Sequence, residues 1–457
     1  MNRPFHAILR TAYLLIAATA ALLVTLPLHA AETRANDQRP NILFILADDY
    51  GIDGVGSYGS DRFKGKTPNI DALAETGTRF ERCYATPICG PSRVLFITGR
   101  YPFRTGGLSH GSVPYVSSKE EPSVARVLKQ AGYVTGMAGK WRQMGGLASE
   151  WGFDDYRMSK EAESPSRITA YIENGKEVPK PKEAYYPDLQ QAFAVDFLRR
   201  HREQPFFLYY SSHLVHDPIV ATPDSKTGQR SKDELYNDNV AYLDKQVGEL
   251  VAEVDKLGLR ERTLIVFSGD NGTDAGDGPI AERKQLGRSS TIGGRRLHGG
   301  KRDMWEGGAL VPLIASWKGT VPAGRVVRDL VGFTDLLPTF AAIAGAKLPQ
   351  DVTFDGRSFA PQLRGEKGTP REWIFVQYLA NTDREKGRPA GTWYVREDGW
   401  KLNSGGELFD MQDAPFVEKP VPSDATDTAA VAARKRLEAV LAKLNPAAGK
   451  TERTPTQ

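Results

Sequence analysis

Asn41-Ile42-Leu43-Phe44-Ile45-Leu46-Ala47-Asp48-Asp49 is an unbroken apolar run that ends in two adjacent carboxylates. A strand with one wet face alternates apolar and polar residues, whereas a strand covered on both faces reads as continuous apolar sequence. The run therefore predicts a central strand of a parallel sheet. Its aspartates then stand at the carboxyl end, where open α/β sheets place their ligands. Two like charges side by side repel, so they need a cation or basic partners. Hard oxygen ligands favour Ca2+ or Mg2+ over zinc. Taken alone, the pair reads more plainly as a strand-to-loop turn with solvated acids.

Three further apolar segments end in chemistry-bearing residues. Residues 133–138 lead to Gly139-Lys140-Trp141-Arg142, and residues 205–212 lead to His213 and His216. Residues 263–268 lead to Gly269-Asp270-Asn271-Gly272, although Asn-Gly is also a common turn signal. Residues 79–84 and 310–316 read as further strands. Helical patterns cover 67–73, 123–131, 188–202, 233–257 and 333–344. Strands alternating with helices predict an α/β domain. From Ile374 the texture changes to short alternating strands (374–378, 392–397, 401–404 and 408–410) and a helix over 429–444, which suits a small antiparallel sheet.

The 457 residues are enough for one large domain and a smaller one. The formal charge is +4, and Arg3 and Arg10 lie in the leader, which leaves +2 on the rest. That excludes a bulk electrostatic case for nucleic acid or membrane binding. Arg3 and Arg10, the apolar stretch 12–28 and Leu28-His29-Ala30-Ala31 read as a signal peptide over residues 1–31. An uncleaved anchor is the alternative, against which Pro27 and the Ala-Ala end argue. The expected product is an exported chain, periplasmic or secreted, with no membrane attachment after cleavage.

The remaining motif is Ile88-Cys89-Gly90-Pro91-Ser92-Arg93-Val94-Leu95-Phe96-Ile97-Thr98-Gly99-Arg100. Pro91 suits a first helical turn, which puts Cys89 at a helix mouth where backbone N–H groups and the dipole favour an anion. A disulfide to Cys83, the other cysteine, is the competing reading. The spacing resembles the sulfatase signature Cys-x-Pro-Ser-Arg followed by Thr-Gly-Arg. Asp48-Asp49, Gly139-Lys140-Trp141, His216 before x-Pro, and Gly269-Asp270-Asn271-Gly272 match further sulfatase segments in order. His298-Gly299-Gly300-Lys301, followed by Trp305-Glu306-Gly307-Gly308, matches another.

The resemblance implies an α/β fold: a large mixed-sheet, alkaline-phosphatase-like domain with helices on both faces (32–370). A smaller C-terminal antiparallel sheet domain (371–445) and a disordered tail (446–457) follow. It implies a sulfuric ester hydrolase acting on an aryl or carbohydrate sulfate, with Cys89 oxidised to formylglycine by a formylglycine-generating enzyme. By the same resemblance Asp48, Asp49, Asp270, Asn271 and the residue derived from Cys89 hold Ca2+, with Mg2+ as the other candidate. Arg93 favours the ionised aldehyde hydrate, Lys140 and Lys301 bind sulfate oxygens, and His216 protonates the leaving oxygen. The family normally has a histidine two residues after the lysine of Gly-Lys-Trp. This chain has Arg142, a poor proton acceptor, and His213 and His298 are the spare imidazoles. His201, among arginines, reads as a solvated helix face. Two alternatives stay open: a phosphodiester or phosphonate monoester hydrolase of the same superfamily, and a catalytically impaired protein that binds sulfated glycans. Specificity is expected in loops 108–118, 145–187 and 272–297.

Overall fold

The computed structural model describes residues 39–141, 144–160, 165–275 and 288–449. The signal-peptide reading, Arg142, residues 276–287 of the expected site loop and the tail beyond Gly449 lie outside the described residues.

Strands β1 (Asn41–Ala47), β2 (Thr78–Tyr84), β3 (Val134–Gly139), β4 (Asp155–Ser159), β5 (Ala170–Glu173) and β6 (Lys176–Pro179) belong to one large sheet. It is completed by β7 (Phe206–Ser211), β8 (Thr263–Gly269), β11 (Leu310–Ser316) and β12 (Arg325–Gly332), while β9 (Thr291–Ile292) and β10 (Arg295–Arg296) form a separate hairpin. The order is β12-β2-β11-β8-β1-β7-β3-β4-β5-β6. Four neighbours at its centre, β8, β1, β7 and β3, run parallel, so their carboxyl ends share one edge. β11 runs antiparallel between β2 and β8 and makes the sheet mixed.

Why β1 has no polar face is visible in its packing. Ile42, Phe44 and Leu46 join one core with the helices Cys89–Thr98, Val124–Gln130 and Leu336–Ala344. Leu43, Ile45 and Ala47 join a second core with Pro68–Glu75, Tyr186–Arg200 and Lys232–Lys256. We number these helices in chain order α1 (Pro68–Glu75), α2 (Cys89–Thr98), α3 (Val124–Gln130), α4 (Tyr186–Arg200), α5 (Lys232–Lys256) and α6 (Leu336–Ala344). Period-2 alternation therefore persists, but both sides are dry. Within the first core, Phe96 of α2 packs between Phe44 (ring centroids 4.6 Å) and Tyr209 (5.0 Å), which fixes the helix that begins at Cys89.

The small sheet is antiparallel, in the order β13 (Ile374–Tyr378), β14 (Thr392–Arg396), β15 (Trp400–Asn403), β16 (Leu408–Asp410) and β17 (Lys419–Val421). Helix α7 (Thr428–Leu444) covers one face through Ala430 and Leu437. Phe375 of β13 packs edge-on against Tyr101, 4.9 Å between centroids, so the small sheet shares a core with the large one.

The structure departs from the sequence reading at three places. The stretch 145–187, read as loop, carries β4, β5 and β6 at the sheet edge. Strand β12, with Arg325, Arg328 and Asp329 among its valines, was not foreseen at all. Residues 446–448, placed in the tail, form one 3-10 turn.

Candidate active site

Each of the four central parallel strands delivers a polar residue to the same edge. Register pairs Ala47 with Gly269, Leu46 with Ser211, and Gly139 with Ser211. Asp48, Asp270, Ser212 and Lys140 therefore begin their loops at one level. Hydrogen bonds carry the alignment past the strands: Asp270 N to Ala47 O (3.0 Å), Asp48 N to Leu214 O (2.8 Å) and Lys140 N to Ser211 O (2.8 Å). Gly139 is needed for the last of these: at φ +113° a Cβ would lie 2.0 Å from Ser211 O. Asp49 holds a left-handed φ of +57° and donates its N–H to Asp270 Oδ1 at 3.1 Å.

Cys89 opens α2 beside this edge. Ile88 before it supplies no side-chain cap, so an anion at Cys89 would meet uncapped backbone donors. Ser92 ties the turn together, accepting from Thr86 N and donating to Ile88 O, both at 3.0 Å. Cys83 and Cys89 are not joined by a disulfide, which removes that reading.

Three cations and three carboxylates interlock here, all buried. Arg93, one helical turn after Cys89, donates to Asp270 Oδ2 at 2.8 Å, to Tyr209 OH at 3.1 Å and to Ser211 Oγ, and lies 3.8 Å from Asp48 Oδ1. Lys140 Nζ is 2.5 Å from Asp48 Oδ2 and 3.8 Å from Cys89 Sγ. Lys301 Nζ donates to Asp49 Oδ2 at 2.6 Å and lies 3.3 Å from His216 Nε2. Burial alone would raise the Asp48 carboxyl, yet the fields of Lys140, His216, Arg93 and Lys301 hold it well below the usual range. Asp270 is pushed up to about 7 by burial and by the charge of Asp48, against the opposing pull of Arg93. Burial and Lys140 depress His216, but Asp49 and Asp48 outweigh them and hold it above its ordinary value. Its Nδ1 donates to Asp217 O at 2.6 Å.

The donor set fits a hard divalent cation. Asp48 Oδ1 and Asn271 Oδ1 are buried with no hydrogen-bond partner, an expensive condition for oxygens that nothing coordinates. Asn271 is oriented by donating Nδ2 to Asp49 Oδ1 at 3.0 Å, which turns its oxygen away from that carboxylate. Asp48, Asp49, Cys89 and His216 bring ligand atoms within 4.8 Å of one another.

The spare imidazoles separate. His213 is fully buried, edge-on to Tyr186 and 3.3 Å from Gln190 Oε1, with Nε2 lacking a hydrogen-bond partner. Burial and Lys140 push it well below its ordinary value, so it is neutral. His298 stacks on Trp305 (4.3 Å) and lies 3.5 Å from Glu418, on the side of the small sheet. A second imidazole besides His216 reaches Cys89: His110, whose Nε2 is 3.6 Å from Sγ. No spacing in the chain pointed to it beyond its place in loop 108–118. Tyr378, the last residue of β13, also packs on Cys89 with Ile88, so the small sheet forms part of the wall.

With this geometry the comparisons agree. The sulfatase family model matches residues 40–346, and that of the N-sulphoglucosamine sulphohydrolase C-terminal region matches 295–444. The chain belongs to the sulfatase family. Human arylsulfatase A is 36% identical over 386 residues, covering 76% of this chain and 72% of that protein. Mouse steryl-sulfatase is 31% identical over 457 residues, covering 79% and 71%. The crystal structure of Ps i-CgsB in complex with k-i-k-neocarrahexaose superposes with a TM-score of 0.74 at 27% identity, covering 92% of this sulfatase and 94% of that chain. The chain is thus a sulfuric ester hydrolase with the family's mixed-sheet fold. Among its described residues no helix is long and apolar enough to cross a membrane.

Proposed function

We propose that this sulfatase is exported and hydrolyses a carbohydrate sulfate through a formylglycine made from Cys89. The observation that carries the reading is the seating of Cys89 at an uncapped helix start with Lys140 3.8 Å away and three buried carboxylates nearby. An oxidised residue 89 would supply the oxygen nucleophile. A divalent cation, held by Asp48, Asp49, Asp270 and Asn271, would favour that oxygen's ionised form.

The chain's own groups do the rest. Lys140 and Lys301 hold sulfate oxygens and meet the charge that develops on them. Arg93 neutralises Asp270 from below and so keeps the carboxylates together. His216, held above its ordinary value beside Lys301, gives a proton to the leaving alcohol. A second imidazole next to residue 89 is His110; in place of the histidine exchanged for Arg142, it holds the proton that the last step must move. A sugar substrate is supported by the superposition on a sulfatase-fold chain seen with neocarrahexaose. Export is supported by the basic and apolar leader.

Peptide mass spectrometry across residues 86–93, on chain produced beside a formylglycine-generating enzyme, tests the nucleophile. An aldehyde at position 89 with release of inorganic sulfate from a sulfated sugar is the expected result. An unmodified thiol in a chain that still turns over would overturn it, and faster turnover of a phosphodiester would favour the phosphohydrolase alternative.

A further inference from the structure

Lys301 lies in the segment 298–306, which has no helix or strand of its own before Glu306. Its ammonium nevertheless stands 2.6 Å from Asp49 Oδ2 and 3.3 Å from His216 Nε2. On the near side the backbone is tied by Lys301 N to Thr273 O (3.0 Å) and Arg302 N to Pro87 O (2.7 Å). Further ties come mainly from the small sheet and its loops, with Asp274 and Tyr84 contributing from the large domain. His298 N donates to Pro415 O at 3.0 Å. Lys401 Nζ, from β15, donates to Met304 O at 2.8 Å. Glu418, just before β17, accepts from Glu306 N at 2.7 Å. Arg396, from β14, donates to Glu306 Oε1 at 3.1 Å, and Tyr84 OH donates to Oε2 at 2.6 Å.

Lys401 and Glu418 are themselves ion-paired, with side chains 1% and 0% exposed. A buried pair is weak evidence for stability, because desolvation offsets most of the attraction and apolar residues of the same volume often serve as well. What apolar residues could not do is hold the carbonyl of Met304 and the amide of Glu306. Those two peptide groups lie just after the turn that carries Lys301. The Lys401 ammonium is further fixed over the rings of Tyr394 (4.3 Å) and Trp305 (5.0 Å). Trp305 in turn stacks on His298, 3.5 Å from Glu418, which gives His298 a place in the same brace and none at the reaction centre.

We propose that Lys401 and Glu418 are positioning residues for Lys301, and that the small sheet is therefore part of the sulfate-binding apparatus. The proposal rests on Lys301 being a sulfate ligand. Outer-sphere partners of this kind typically change activity about 10–100-fold. The test is a double-mutant cycle on sulfate release by the matured enzyme. It combines Lys301→Ala with the charge-free pair Lys401→Met/Glu418→Gln, and a thermal melt accompanies each variant. The pair variant should remain folded and lose about 10–100-fold in kcat/KM. In the Lys301→Ala background the same change should cost almost nothing further, because the residue being positioned is gone. Equal losses with and without Lys301 would mark a merely structural pair and overturn the proposal, as would full turnover by the folded pair variant. Full turnover by Lys301→Ala alone would instead overturn the sulfate-ligand role beneath it. Should the pair variant not fold, Glu418→Asp keeps the charge and shortens the reach by one methylene, and the same cycle is read with it.

Discussion

Arg93→Met is the substitution that most directly probes how this centre is held together. The methionine keeps an unbranched apolar stem but removes the guanidinium. Arg93 Nη2 stands 2.8 Å from Asp270 Oδ2, and both side chains are at most 1% exposed. At an effective dielectric near 20 the attraction over that distance is about 6 kcal/mol before desolvation. Removing one partner of such a buried pair costs about 3–5 kcal/mol, because the other charge is left uncompensated. The bonds to Tyr209 OH and Ser211 Oγ go as well, so the upper part of that range is expected. Tyr209→Phe, which removes a neutral partner only, should cost about 1 kcal/mol. Urea denaturation of the three chains, in chelator and in saturating divalent cation, measures both values. The Arg93→Met deficit should shrink with the cation present, since a cation among Asp48, Asp49 and Asn271 also compensates the neighbouring carboxylates. A deficit below about 1 kcal/mol in chelator, or one that does not respond to the cation, would refute the assignment of Arg93 as their counter-charge.

Three further outcomes are expected. His110→Ala should lower kcat about 10²–10⁴-fold in sulfate-release assays, and His298→Ala far less, since His298 touches Trp305 and Glu418 rather than Cys89. Chelation should abolish turnover and lower the melting temperature, with both restored by Ca2+ or Mg2+. Gly272→Ala should leave little folded protein in a solubility and circular-dichroism test, because its Cβ would lie 1.7 Å from Gly307 O, where two backbones meet between Asn271 and the Lys301 segment.

Strand β1 and the strands ending at Gly139, Ser211 and Gly269 were legible because a covered strand has no polar face to confuse its pattern. Their end residues were legible for the same reason: polarity begins abruptly where the sheet stops. Strands β4 to β6 were not, since Arg157, Glu173, Lys176 and Glu177 lie in or beside a wet sheet edge and only Tyr156, Met158 and Tyr171 mark the dry side. His298 and His110 show the limit for sites. Both are single histidines in glycine- and serine-rich loops, and nothing local distinguishes them. Their fates are decided by partners distant in sequence: Glu418 and Trp305 for one, the start of α2 for the other.

The charge count at the centre constrains what it can bind. Asp48, Asp49 and Asp270 meet Arg93, Lys140 and Lys301, all buried, so with every carboxylate ionised these six groups sum to zero. Asp270, pushed up to about 7 by burial and by Asp48, is the member whose charge depends on company, and a divalent cation favours its ionised form. With that cation, and with His216 protonated as a proton donor must be, the centre would carry three positive charges in excess. An ionised oxygen at position 89 would cancel one of them, a sulfate monoester, which bears one negative charge, a second, and the proton that His216 passes to the leaving alcohol would remove the third. A phosphate monoester in its dianionic form would use up the third charge on binding and leave a buried negative charge without a partner once His216 had given up its proton. A phosphodiester matches the count as well as a sulfate ester does. Discrimination between those two therefore belongs to the leaving-group side, where Tyr378 and His110 narrow the approach to Cys89.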